Sequence, residues 1–184
     1  MSSTRQADRT LIDRYQDYRT RRFLKRERTY AHSLPSWRTQ RRRRVLVGIV
    51  AFSLALMVIV SALCAFGFRE AALGWLPATL LFTPTFVMLQ IVSGRHGDAP
   101  ESVLDEYEIQ QRNSARSIGL TVTQYLMMVP IFYLILMSTR TRDVDARSAL
   151  DIAYAGGLMV LAVLMIGACL PAMILGWIRP DPEA

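Results

Sequence analysis

Four long apolar stretches separated by polar segments dominate the pattern along this chain of 184 residues. The apolar runs span 45–66, 71–93, 117–138 and 150–178. A helix needs about 20 apolar residues to cross a bilayer, and each run reaches that length. A soluble domain would instead mix polar residues into these runs at the helical or strand period. The pattern therefore predicts an all-α integral membrane protein with four transmembrane helices.

The connections between the runs predict how the helices are arranged. Residues 67–70 form a short connection, so the second helix must run antiparallel to the first. Ser102 and Asp105 have the spacing of a capping box, which predicts a cytoplasmic helix over 102–116 that continues into the third span. Ser148 and Asp151 have the same spacing at the start of the fourth. We therefore expect residues 45–178 to form a four-helix bundle of two antiparallel hairpins.

The distribution of basic residues predicts the orientation of these helices. Residues 1–44 contain 14 basic and four acidic residues, whereas the whole chain has a net charge of +7. If the N-terminus is cytoplasmic, segments 1–44, 94–116 and 179–184 place 18 of the 22 basic residues inside. Basic residues collect in cytoplasmic segments, so both termini are expected in the cytoplasm. Lys25 is the sole lysine, and this arginine-rich, alanine-rich composition indicates a GC-rich bacterial genome. We therefore expect the membrane to be the bacterial inner membrane.

The basic N-terminal arm, residues 1–44, offers two candidate contact surfaces. Next to the first span lies a cluster expected to bind anionic lipid headgroups or to lock the topology, namely Arg41, Arg42, Arg43 and Arg44. Further out, helical spacing aligns a stripe expected to meet a partner or the membrane surface, namely Leu11, Tyr15 and Tyr18. A mobile tail is the next alternative. Nucleic-acid binding is the least favoured, because no groove-reading motif accompanies the arginines.

The apolar runs contain little that could support chemistry. No Asp, Glu, Lys, Arg or His lies in the interior of the four runs. The nearest such residue is Asp151, at the very start of the fourth run. Such residues usually mark ion pathways and substrate sites within a membrane. The histidines, His32 and His96, lie in polar segments without a metal-ligand spacing. We therefore expect no catalytic activity, no metal site and no cofactor.

Milder polar residues and small residues do form patterns within the runs. The second and third runs each carry a polar face, with candidate interhelical contacts at Thr83, Gln90, Thr121 and Gln124. These faces either hold the helices together or line a polar cavity. The predicted fourth helix carries small residues that permit close helix packing, namely Ala149, Ala153, Gly156, Gly157, Ala168, Ala172 and Gly176.

The cytoplasmic segment before the third run carries a recognisable short pattern. It reads Asp105-Glu106-Tyr107-Glu108, followed by Arg112-Asn113-Ser114-Ala115. This segment resembles small multi-pass bacterial membrane proteins of uncharacterised function that carry D-E-R-x followed by R-N-x-A. Tyr107 stands where that pattern has arginine, and the match covers about a dozen residues. The resemblance implies a multi-pass membrane protein and implies no activity.

Three functional classes are compatible with these patterns. The favoured one is a non-catalytic accessory or scaffold subunit of a larger bacterial membrane complex, with anionic lipids and other membrane subunits, or a second copy, as partners. The alternative is a small oligomeric transporter or channel-like protein with a polar cavity between the second and third helices. The absence of a charged residue in the spans and of an internal repeat weighs against transport. A membrane enzyme is the third and least favoured class.

Overall fold

A computed structural model of the chain describes Tyr18 and residues 39–93, 105–140 and 146–178. In these ranges the secondary structure is entirely helical. Four long helices are joined in part by a short 3₁₀ helix, Arg69–Gly74, which precedes the second of them. The long helices are α1 (Gln40–Ala65), α2 (Trp75–Val92), α3 (Glu106–Arg140) and α4 (Ala146–Ile178).

Within the described residues, the prediction of an all-helical protein with four helices long and apolar enough to cross a membrane is confirmed. The helix bounds differ from the apolar runs in two informative ways. Helix α1 begins five residues before the first run and so includes the four consecutive arginines. Helix α3 extends from the polar segment through the third run as one continuous helix of 35 residues. Residues 102–104, where we predicted its start, lie outside the described residues.

The connection between α1 and α2 is a Schellman turn. The Phe68 N–H donates to the Leu63 carbonyl at 3.0 Å, and the Gly67 N–H donates to the Cys64 carbonyl at 3.1 Å. Gly67 has a φ of 96°, which a residue with a Cβ rarely adopts. One 3₁₀ segment then leads into α2, and Pro77 lies in the first turn of α2, where no helical N–H is needed. The reversal is therefore encoded locally.

The capping boxes predicted at Ser102 and Ser148 have different outcomes. The Asp105 carboxylate accepts a hydrogen bond of 2.8 Å from the Glu108 N–H, and the Asp105 carbonyl accepts one from the Ile109 N–H. Asp105 thus caps α3 itself, whereas Ser102 lies outside the described residues. The prediction of a capping box at Ser148 is wrong. Ser148 lies inside α4, which includes Ala146, and a capping residue must stand outside the helix that it caps.

The helices pack in the spatial order α3, α4, α1, α2. Consecutive helices form the two hairpins, α1 with α2 and α3 with α4, and the contact of α1 with α4 joins the hairpins. Helices α2 and α3 do not form one of the main helix–helix interfaces. The most apolar window is 44% buried in α1 and 6% buried in α3, so α1 is the most buried helix and α3 the least. The bundle is therefore centred on α1 and α4.

The main core lies where α1, α2 and α4 meet. Its largest fully buried apolar side chains are Val50 and Met57 of α1 and Leu89 of α2, and Cys169 of α4 joins the same cluster. A smaller cluster farther along α1 contains Cys64, which is buried like Cys169, and both cysteines are free thiols. These contacts account for the stronger burial of α1.

Glycines allow α3 and α4 to approach each other closely. A Cβ added at Gly119 of α3 would stand 3.0 Å from the Cγ of Pro171. Cβ atoms added at Gly167 and Gly156 of α4 would collide with Thr123 and Leu134 of α3. The contacts descend along α4 as they ascend along α3, so the two helices are antiparallel. Gly156 was among the predicted packing residues. Gly167 was not predicted, and Ala168, which was predicted in its place, is exposed.

Gly156 and Gly157 provide a matched test of this packing. We expect Gly156→Val to lower the free energy of unfolding by about 1–3 kcal/mol more than Gly157→Val, because the added side chain meets Leu134 only at position 156. A Cβ added at position 157 would meet no atom within 4 Å, and both substitutions change helix propensity equally. SDS titration of the purified protein in mixed micelles measures the difference. Equal losses for the two variants would contradict the contact.

Candidate functional site

The described residues contain no arrangement typical of a metal site. In residues 39–93, 105–140 and 146–178, no group of three or more His, Cys, Asp or Glu side chains is placed to hold a metal ion. The two cysteines occupy separate clusters of the core. The candidate surfaces are therefore the polar and charged groups at the two ends of the bundle and along the helix faces.

One end of the bundle, here called the arginine end, contains the start of α1, the start of α3 and the end of α4. The predicted cluster divides there into two kinds of arginine. Arg41, Arg42 and Arg44 are exposed, but Arg43 retains only 2% of its accessible surface. Arg43 lies one turn before Val47, which faces Gly176 of α4 across the main core. Arg43 is therefore an interior residue, and three arginines remain on the basic surface.

The arginine end has two further features, a contact between α1 and α4 and a second buried arginine. The Arg44 guanidinium lies over the Trp177 ring, 5.1 Å from its centroid, and so connects α1 to the last turn of α4. Such a cation–π contact contributes about 0.5–1 kcal/mol when it is exposed. Arg112 of α3 is buried, with 3% of its surface accessible. Sequence reasoning missed the burial of Arg43 and Arg112, because a polar residue near a helix end is ordinarily exposed.

The structure does not bring the two predicted polar faces together. Thr83 and Gln90 lie on α2 at one edge of the bundle, and Thr121 and Gln124 lie on α3 at the other edge. Thr83, Thr121 and Gln124 are exposed, and Gln90 is half-buried. Their positions give α2 and α3 separate polar faces.

Most hydroxyl groups along the spans bond to their own helix. Each donates to the carbonyl four residues earlier, at distances of 2.7–2.9 Å, as seen for Ser53, Ser61, Thr83, Thr85 and Thr123. This bond satisfies the donor without a partner helix. A hydroxyl in these positions therefore gives little indication of an interhelical contact.

An ion pair connects the two hairpins at the end of the bundle opposite the arginine end. Arg69, at the start of the 3₁₀ helix, lies 2.7 Å from the Asp151 carboxylate of α4, between Nη1 and Oδ1. The same guanidinium lies 6.0 Å from the centroid of the Tyr154 ring. Asp151 therefore pairs across the bundle and does not cap α4. The opposite charges of Arg69, just before the second run, and of Asp151, at the start of the fourth, were the available sequence signal for this pair.

The predicted partner stripe of the N-terminal arm lies mostly outside the described residues. Leu11 and Tyr15 belong to the undescribed part. Tyr18 is helical, with 58% of its surface exposed. The stripe stays a prediction.

Comparisons of the chain with protein-family models, with curated proteins and with solved structures found no match.

The Arg69–Asp151 pair predicts a measurable coupling between the hairpins. Both side chains keep substantial exposure, 59% and 39%, so we expect a coupling free energy of only about 0.2–1 kcal/mol. A double-mutant cycle of Arg69→Gln and Asp151→Asn, read by SDS unfolding, measures it. The control cycle pairs Asp151→Asn with Glu70→Gln. The Glu70 substitution alters the charge next to Arg69 but leaves the Arg69–Asp151 pair intact. A coupling no greater than in the control would refute the contact.

Proposed function

We propose that this protein is a multi-pass protein of the bacterial inner membrane, with both termini in the cytoplasm. We propose that it serves as a non-catalytic accessory or scaffold subunit of a larger membrane complex. The proposal is supported chiefly by the surface of α3. This helix packs mainly against α4, and large apolar side chains remain exposed along it, including Leu120, Tyr125, Phe132 and Ile135. Such a surface suits lipid or another membrane protein.

The distribution of charge supports the same proposal. From Val45 to Phe66, and along the third run, no charged residue interrupts the helices. The charged groups of the described helices lie at their ends, as Arg41, Arg42 and Arg44 do at the arginine end. These three exposed arginines are suited to the anionic inner leaflet, where each contributes about 1 kcal/mol. A scaffold needs a fixed orientation and a contact surface, and it needs no reactive group.

The topology makes a prediction that labelling can test. In a background with Cys64 and Cys169 replaced by alanine, we expect Thr141→Cys to react with a membrane-impermeant maleimide in intact cells. Ser102→Cys, in the segment between α2 and α3, is expected to react only after the inner membrane is permeabilised. Each variant controls for the other, because both positions lie in polar segments. Labelling of Ser102→Cys in intact cells would reverse the proposed orientation.

The scaffold role predicts a stoichiometric partner that depends on the N-terminal stripe. Purification in mild detergent, with mass spectrometry and quantitation, is expected to recover a larger membrane protein at a fixed ratio to this chain. Substituting Leu11, Tyr15 and Tyr18 by serine is expected to remove that partner, because the apolar stripe is lost.

The matched control for capture substitutes Gln6, Gln16 and Thr20 by alanine, since these residues lie on the other side of the same helical wheel. The control variant is expected to retain the partner at the original ratio. Recovery of the chain without a stoichiometric partner, together with solute flux in reconstituted liposomes, would overturn the scaffold role and favour transport.

A further inference from the structure

Helix α3 has two faces of different character on opposite sides. The face that packs against α4 contains Arg112, Ala115, Gly119 and Pro130, all buried. The other face carries six exposed polar residues, here called the α3 polar stripe: Glu106, Gln110, Asn113, Ser117, Thr121 and Gln124. Their steps of four and three residues average one helical turn, so they form a straight row along the helix. The row lies nearly opposite the α4 contact.

The first half of the stripe, from Glu106 to Ser117, lies on an open surface of α3. The second half of the stripe, from Ser117 to Gln124, lies within the third apolar run. A polar row therefore leads from the polar start of α3 into the part of α3 proposed to lie in the bilayer.

The Gln124 side chain creates a specific energetic problem in that setting. Its amide has two N–H donors and one carbonyl acceptor. The neighbouring Thr123 hydroxyl donates to the Gly119 carbonyl of its own helix. A single bond of this kind would not satisfy both donors and the acceptor of the Gln124 amide. An exposed amide in hydrocarbon lacks water as a partner, and leaving it unsatisfied is unfavourable. Gln124 therefore requires a polar partner from outside the described bundle.

We propose that the α3 polar stripe is the contact surface for a second copy of this chain, with the two α3 helices side by side and parallel. The inference rests on the proposed membrane placement. Two copies inserted in the same orientation are related by a two-fold axis along the membrane normal, so each stripe residue meets its own counterpart at the same depth. An amide both donates and accepts, and Gln124 can therefore pair with Gln124 of the other copy.

The chemistry of the stripe favours a second copy over other occupants. Asn113, Ser117 and Thr121 also donate and accept, so they are self-complementary like Gln124. The N-terminal arm is strongly basic, and its charges would be costly to bury beside Gln124 in hydrocarbon. The polar face of α2 is a weaker candidate for the partner, because its Thr83 hydroxyl already donates to the Thr79 carbonyl of the same helix. Glu106 is the exception, because two carboxylates repel, and the helices are therefore closest between Ser117 and Gln124.

A cysteine scan of α3 tests the geometry in native membranes. In the background lacking Cys64 and Cys169, single cysteines at Ser117, Thr121 and Gln124 are expected to form disulfide-linked dimers on mild oxidation. The bond requires Cβ atoms about 3.5–4.5 Å apart, so only residues facing their own counterpart react. Tyr125→Cys is the matched control. It is adjacent to Gln124 and highly exposed, but it is turned about 100° away from Gln124.

The pattern of crosslinking decides the inference. Dimers at the three stripe positions, and little at Tyr125→Cys, support the parallel pair. Dimers only at Tyr125→Cys, or at none of the four positions, overturn it. A mixed pairing of the stripe with another helix would leave each single-cysteine variant uncrosslinked, so it also counts against the inference.

The affinity of the full-length protein in lipid vesicles provides a second measurement. Energy transfer between labelled copies, followed as lipid is added, is expected to show dimerisation about 3- to 20-fold weaker for Gln124→Leu, the range of one interhelical hydrogen bond. Gln90→Leu makes the same chemical change on α2 and is expected to leave the affinity unchanged. Equal affinities for both variants and the original chain would overturn the role of Gln124.

These outcomes are separable from failure of the proposed function. The maleimide labelling reports orientation, and partner capture reports the scaffold role, without reference to α3 pairing. A correct topology and an intact larger complex, together with no crosslinks along the stripe, would reject the second copy alone. Stripe crosslinks with no larger partner would retain the dimer and reject the scaffold role.

Discussion

The close contact between α3 and α4 determines much of the remaining architecture. Helix α3 is attached to the bundle mainly through α4, and α4 in turn contacts α1. Gly119, Gly156 and Gly167 make the α3–α4 approach possible, since a Cβ at any of them would meet an atom of the other helix. This contact fixes the rotation of α3 about its axis. The same rotation buries Arg112 and leaves Gln124 exposed.

Hydrogen bonding separates the polar groups of the helices into two kinds. Serine and threonine hydroxyls reach a carbonyl of their own helix, as Ser61 and Thr85 do, and so they are accommodated in an apolar setting. Glutamine cannot satisfy its whole amide in this way. The position of Gln124 on α3, away from α4, therefore carries more information about an external contact than the threonines on the same helix.

Charged groups at the two ends of the bundle have different partners. At the arginine end, Arg44 lies over Trp177, and Arg43 and Arg112 are buried close to where α4 ends. Cations near a helix C-terminus interact favourably with its dipole. At the other end, Arg69 pairs with Asp151 and lies near Tyr154. Both ends thus connect α4 to other elements, in keeping with its central place.

The sequence by itself determined the number of long helices in the described residues and the place of the short connection at Gly67, because apolar run length and turn residues are local properties. It also indicated the cap region of α3, where Asp105 makes the observed capping bond. Only the tertiary structure decided which faces are buried, since polarity does not mark the exterior of α1, whose Ser53 and Ser61 are both buried. For the same reason it alone revealed the Arg69–Asp151 pair, the burial of Arg43 and the outward direction of Gln124, each of which depends on how neighbouring helices are rotated.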